Sequence, residues 1–214
     1  MSLYFSWLCS FPGVYSRESF SGCGGVFHDH WVSRRPQYSF AEFDCLSSPC
    51  LRAPPLGVIK ANFDGAWSRN SLQSGLGVVF RSSNGSIFNG VSSPCLSSSA
   101  LQTEAKAALL AVRSALDSNF SDVVFESDSK ELIGSLNNDF KKANWTIFPL
   151  LIQIRNLSTQ FCSIYWRWVP RQANSAADWV ASHCKRGMCS DVWVIRPPSS
   201  LVHILSKDGL PCPP

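Results

Sequence analysis

Val58-Ile59-Lys60-Ala61-Asn62-Phe63-Asp64-Gly65 alternates apolar and polar residues and then reaches an Asp-Gly pair. That alternation reads as a half-buried strand, and Asp64-Gly65 reads as its end. Downstream, Gly75-Leu76-Gly77-Val78-Val79-Phe80-Arg81 forms a second strand pattern and Ser86-Ile87-Phe88-Asn89-Gly90-Val91 a third. Between them, Ser82-Ser83-Asn84-Gly85 is a hairpin turn, because Asn-Gly supplies positive φ. Three consecutive strands joined this way make an antiparallel meander.

The periodicity then changes from 2 to 3.6. Ser97-Ser98-Ser99 is a helix-start signal. Leu101, Ala105, Ala108, Leu109, Val112 and Leu116 fall on one helical stripe, with Glu104 beside it near the N-terminal end. Val123-Val124-Phe125 is a short apolar strand running into Glu126-Ser127-Asp128, the pattern of a buried parallel crossover strand. A short helix is predicted over 130–136, started by Ser129, and a longer one over 146–160. Residues 163–169 read as a fifth strand, followed by a last helix capped by Asn174 or Ser175. The order β-β-β-α-β-α-α-β-α predicts an α/β fold, a mixed five-stranded sheet with helices on its faces.

On either side the pattern fades. Residues 1–55 are rich in Ser, Gly, Pro and aromatics without sustained periodicity and read as an irregular segment. Their first residues are apolar but lack a basic leader. The patterned domain is placed at 56–187, and 188–214 is expected to be a loose tail. The nine Cys show no regular framework, which favours a reduced, intracellular setting, nuclear or cytoplasmic. His28, His30, Cys45 and Cys50 fit no standard zinc spacing. No apolar run is long enough to span a bilayer, so no membrane partner is expected.

Charge is unevenly placed. Residues 56–187 carry 13 Lys+Arg against 9 Asp+Glu, whereas 1–55 carry 4 of each and 188–214 carry 2 of each. The whole +4 excess therefore lies in the patterned domain. Four carboxylates in that domain, Asp64, Glu104, Asp128 and Asp178, each sit where an element begins or ends. A basic body around an acidic cluster suits a polyanion held by its backbone and cut with the help of divalent cations. Glu126 and Glu131 are the nearby acids that could be mistaken for members of the set.

These phrases carry a family resemblance over roughly 58–187. Asn62-Phe63-Asp64-Gly65-Ala66, Glu104-Ala105, Glu126-Ser127-Asp128-Ser129 and Arg171-Gln172-Ala173-Asn174-Ser175-Ala176-Ala177-Asp178, in this order of elements, resemble ribonuclease H. The nearest likeness is the type-1-like domain of plant retroelement-derived and reverse-transcriptase-like proteins. The resemblance implies the sheet order 3-2-1-4-5. It also implies metal-dependent endonucleolytic hydrolysis of the RNA strand of RNA–DNA hybrids by a monomer, with two Mg²⁺ ions (or Mn²⁺).

In that reading Asp64 bridges both metals, Glu104 and Asp128 complete one site, and Asp178 completes the other. Four crowded carboxylates should hold raised pKa values until metal binds. Arg167, Arg171, Lys141 and Lys142 are candidate phosphate contacts, with Lys185 and Arg186 behind them. Asn174 is a helix cap or a 2′-hydroxyl ligand, the cap being favoured. Trp166 and Trp168 share one strand face and are read as core packing. Ribonuclease H carries a His in the loop before its last helix; here the loop is Trp168-Val169-Pro170-Arg171-Gln172-Ala173-Asn174, and His183 falls inside the helix. The basic handle with its Trp-rich face is also absent, Lys141 and Lys142 beside Trp145 being its faint echo. A catalytically weak module of the same fold that binds nucleic acid or protein is the alternative.

Overall fold

A computed structural model describes residues 53–138, 144–188 and 193–207. Lys141, Lys142 and the irregular segment up to residue 52, with its His and Cys residues, lie outside the described residues. The elements are β1 (Ile59–Ser68), β2 (Ser71–Arg81), β3 (Ile87–Leu96), α1 (Ala100–Asp117), β4 (Asp122–Ser127), α2 (Lys130–Asn137), α3 (Phe148–Ser158), β5 (Ser163–Trp168), α4 (Ser175–Lys185) and α5 (Ser199–Lys207).

The five strands form one mixed sheet in the order β3-β2-β1-β4-β5, the expected 3-2-1-4-5. β1 pairs antiparallel with β2 and parallel with β4. β2–β3 is antiparallel and β4–β5 parallel. The hairpin between β2 and β3 closes with Gly85 N–H donating to Ser82 O at 2.8 Å. Gly85 alone takes positive φ there, at 85°, so the glycine supplies the left-handed step and Asn84 does not.

Alternation along β1 divides the sheet's two faces. Ala61 and Phe63 join Leu76, Val78 and Phe80 in a core against α1, α2 and α3. Lys60, Asn62 and Asp64 share the opposite face, against which α4 packs. The α1 side is filled by small residues: Ala105, Ala107, Ala108, Ala111 and Ala115 are fully buried, with Leu109 and Val112. The stripe is therefore broader than the Leu101–Leu116 line, and its short side chains bring the helix close to the sheet. Ser99 accepts from Gln102 N–H at 3.2 Å and starts α1 where the triplet of serines suggests.

The α4 side has its own small core of Val79, Ile87, Ala176, Ala177, Trp179, Val180, Trp193, Leu201 and Leu205. Here the expected loose tail is corrected over residues 193–207. Trp193, Leu201 and Leu205 are buried, and α5 supplies the last two. Leu201 and Leu205 are one helical turn apart, a short stripe that earns its order only by covering α4. Among the described residues no helix is long and apolar enough to cross a membrane.

Candidate metal centre and its surroundings

Asp64 lies in the middle of β1, not at its end. β1 continues antiparallel to β2 through Asp64↔Gly77, Gly65↔Leu76 and Ala66↔Gly75. Its parallel pairing with β4, however, stops at Asn62↔Glu126. Asp64 thus stands just past the point where two parallel strands part, and β4 ends one residue before Asp128. The cleft beyond the carboxyl ends of parallel strands is the usual place for a site in an α/β sheet.

Glu104 reaches the same place because Gly65 has no side chain. A Cβ on Gly65 would stand 2.7 Å from Thr103 C and 2.8 Å from Glu104 N, so α1 can rest on β1 only at a glycine. The carboxylates of Asp64, Glu104 and Asp128 then present oxygens that all lie within 4.8 Å of one another. Asp178, in the first turn of α4, is outside this trio but acts on it electrostatically. It is 39 % exposed, with Arg171 Nη2 3.5 Å from its Oδ1. Gly77 performs for α4 what Gly65 does for α1: its Cβ would stand 2.5 Å from Ala181 N and 2.7 Å from Ala177 O.

Burial makes this cluster unfavourable when empty of cations. Burial first, then the charges of Asp128 and Asp178, push the Asp64 carboxyl up from 3.8 to about 8, against a smaller opposing pull from Arg171. Glu104 is raised well above its ordinary value by burial and by Asp64, Asp128 and Asp178. Glu104 Oε2 is buried with no hydrogen-bond partner. A buried carboxylate oxygen left without a donor is costly unless a cation completes it. The donor set is all hard oxygen, the type that Mg²⁺ and Mn²⁺ take. The residues present fit a divalent cation.

Asn174 does not cap α4. Its side chain makes no cap hydrogen bond, and a 3-10 turn over Arg171–Asn174 leads into the helix. Asn174 Nδ2 instead donates to Phe63 O at 3.0 Å and to Asp128 Oδ1 at 3.3 Å. Glu126 is fully buried and its carboxylate is taken up by other partners. Lys60 Nζ meets its Oε1 at 3.2 Å, Asn62 Nδ2 donates to its Oε2 at 3.0 Å, and Arg167 Nη2 pairs with it as well. Arg167, read from sequence as a phosphate contact, is held by this acid and is 28 % exposed. Arg171 is the exposed one, at 76 %.

The two tryptophans of β5 part company. Trp166 packs in the core, stacked on Phe125 at 4.8 Å and edge-on to Phe63 at 6.1 Å. Trp168 is 39 % exposed, donates Nε1–H to Asp128 O at 3.0 Å, and carries Lys130 Nζ 4.4 Å above its ring. In the loop where the family has a His, Asp128 is therefore met by an indole at its backbone carbonyl and by the Asn174 amide at its carboxylate. His183 is engaged by Trp179, with rings 3.7 Å apart and Nδ1 2.9 Å from Trp179 O.

Sequence reading missed Lys60 and Asn62, and it treated Glu126 only as a decoy. The signal was available: Lys60, Asn62 and Asp64 recur at i, i+2 and i+4 in a strand whose both faces must be covered. A polar row on a buried strand face announces a hydrogen-bonded network.

A mixed 3-2-1-4-5 sheet with carboxylates converging beyond the β1–β4 parting defines a ribonuclease H-like domain. A family model described as reverse-transcriptase-like matches residues 62–184. That is more than half of the chain, which belongs to this family. Ribonuclease H1 of the halophilic archaeon Halobacterium salinarum is similar with a TM-score of 0.58 and 25% identity, over 61% of this chain and 98% of that one. The N-terminal ribonuclease H domain of a Mycobacterium tuberculosis protein gives a TM-score of 0.57 at 20% identity, over 61% of this chain and 95% of that one. The LC11 ribonuclease H1, solved in complex with an RNA/DNA hybrid, gives 0.56 at 18% identity over 62% and 99%. No curated protein matches the sequence significantly.

Proposed function

We propose that this protein is a metal-dependent ribonuclease that hydrolyses the RNA strand of RNA–DNA hybrids. The observation that carries the reading is the convergence of a buried Asp64 with the half-buried Glu104 and Asp128, Glu104 Oε2 being left unpartnered. Asp64, the most central acid, is assigned to both cation positions, Glu104 and Asp128 to one and Asp178 to the other. Mg²⁺ ions held there would supply an ionised water and stabilise the departing oxygen.

The chain's own groups do the rest. The α1 and α4 backbones, seated on Gly65 and Gly77, hold Glu104 and Asp178 at the sheet. Asn174 feeds a hydrogen bond to Asp128 and keeps one of its oxygens directed. Arg171 tempers the charge of Asp178 and, being exposed, is placed to meet a substrate phosphate. The basic excess of the domain favours approach of a polyanion. The similarity to a ribonuclease H1 solved with an RNA/DNA hybrid supports this substrate class.

The test is cleavage of an end-labelled RNA–DNA hybrid in Mg²⁺ or Mn²⁺, beside Asp64→Asn. Cleavage confined to the RNA strand and lost in the variant is expected. Hybrid binding without cleavage by the unaltered chain would replace the enzyme by a binding module of the same fold.

A further inference from the structure

Beneath the carboxylate trio, on the α4 side of the sheet, lies a row of buried polar groups that cation binding does not by itself require. Glu126, Lys60, Asn62 and Asn174 are all buried. The row is continuous. Lys60 and Arg167 pair with Glu126, and Glu126 Oε2 accepts from Asn62 Nδ2 at 3.0 Å. The same Nδ2 donates to Asn174 Oδ1 at 3.4 Å. Asn174 Nδ2 then donates to Phe63 O and to Asp128 Oδ1.

Each link dictates the next. An ionised carboxylate only accepts, so Asn62 must turn its NH₂ toward Glu126. The second proton of that NH₂ serves Asn174 Oδ1, which leaves Asn174's own NH₂ facing Phe63 O and Asp128. Asn62 Oδ1 is buried without a partner. Its orientation is thus set by what Glu126 demands and not by any benefit to its own oxygen. A buried ion pair is stability-neutral at best against an apolar replacement, so a fixed acceptor, with everything it orients, is a reason to keep one.

Given the cation site above, we propose that Glu126, Asn62 and Asn174 form a relay of positioning residues that holds Asp128 for the cation. The ion pair orients Asn62, Asn62 orients Asn174, and Asn174 occupies one side of Asp128 Oδ1 so that the remaining lone pairs face the cluster. Partners that orient metal ligands typically matter tenfold or more in affinity. Asn62 makes no hydrogen bond to any member of the carboxylate set, so its hydrogen-bonded route to Asp128 passes through Asn174.

The experiment is Mn²⁺ binding to the full chain, read by calorimetry or electron paramagnetic resonance, which needs no turnover. Asn174→Leu should weaken binding roughly tenfold, and Asn62→Leu by at least about twofold. The double variant should bind no more weakly than Asn174→Leu alone. Unchanged affinity in Asn62→Leu, or losses that multiply in the double variant, overturns the relay while leaving the cation site standing. Failure of the unaltered chain to bind Mn²⁺, or full binding by Asp64→Asn, overturns the cation site and the relay with it. Should either Leu variant not fold, the side-chain NH₂ of Asn174 in the unaltered chain decides by nuclear magnetic resonance. Protection from exchange and a shift on adding Mg²⁺ support the relay; exchange as fast as that of free asparagine refutes it.

Discussion

Replacing Asp64 by Asn should make the cation-free protein more stable at neutral pH. Asp64 is buried, and its carboxyl is lifted from 3.8 to about 8, chiefly by burial and then by Asp128 and Asp178. In the unfolded chain it titrates near its ordinary value. Between those two pH values the native state holds a proton that the unfolded state has lost, so stability falls as pH rises from about 4 to about 8. At pH 7 the gap from 3.8 corresponds to about 4 kcal/mol at most. At pH 4.5 it shrinks to about 1 kcal/mol. Asn keeps the shape and has no charge to lose. Thermal melts in excess chelator at both pH values provide the assay, with about 2–4 °C expected per kcal/mol for a chain of this size. Asp64→Asn should melt several degrees above the unaltered chain at pH 7.5 and close to it at pH 4.5. A variant that melts no higher at pH 7.5, or by the same margin at both, would refute the claim that the cluster is a strained, ion-ready arrangement.

Adding Mg²⁺ at about 100 times its dissociation constant should raise stability by about 2.7 kcal/mol; Asp64→Asn should lose that response, and an equal shift in both proteins would point to binding elsewhere. Glu126→Leu strands Lys60 and Arg167 beside an apolar side chain; urea unfolding should show a loss of about 3–5 kcal/mol, and a loss near zero would mean the acid is not the anchor of its row. Gly77→Ala forces a methyl to within 2.5 Å of Ala181 N; it should destabilise by at least about 2 kcal/mol and weaken cation binding through Asp178. Gly134→Ala, in α2 with nothing within 4 Å of the new Cβ, is its control; it should stabilise by about 0.5–1 kcal/mol in the same urea assay.

The order of elements was legible because period 2 and period 3.6 alternate cleanly from Ile59 to Lys185. The extents were less so. β1 runs on past Asp64-Gly65 because β2 keeps pairing with it after β4 has left, and an Asp-Gly pair bends a strand only where nothing holds its partner side. α5 was invisible because two leucines one turn apart form a stripe only when α4 is there to receive them. Asn174 read as a cap from its position before a helix, and it does stand there, but as the last residue of a 3-10 turn its amide goes to Phe63 O and Asp128 and not to the helix N–H groups. Trp166 and Trp168 look equivalent on a strand face, but Trp168 is the last residue of the edge strand β5, where burial gives out.

Local chemistry placed β1 to β5 and α1 to α4 and, together with the family resemblance, singled out Asp64, Glu104, Asp128 and Asp178, since carboxylates at the edges of apolar patterns stand out in one dimension. The convergence of Asp64, Glu104 and Asp128, with Asp178 near enough to act on Asp64, is a matter of distance. It depends on Gly65 and Gly77 letting two helices touch the sheet, and on β1 and β4 parting after Asn62. The division of labour among the polar residues is tertiary as well. Lys60, Asn62, Glu126 and Arg167 come from three different strands, and only their burial against one another makes hydrogen bonding obligatory. Water would have satisfied each of them separately in an extended chain; removed from water, they must satisfy one another, and so they acquire fixed roles.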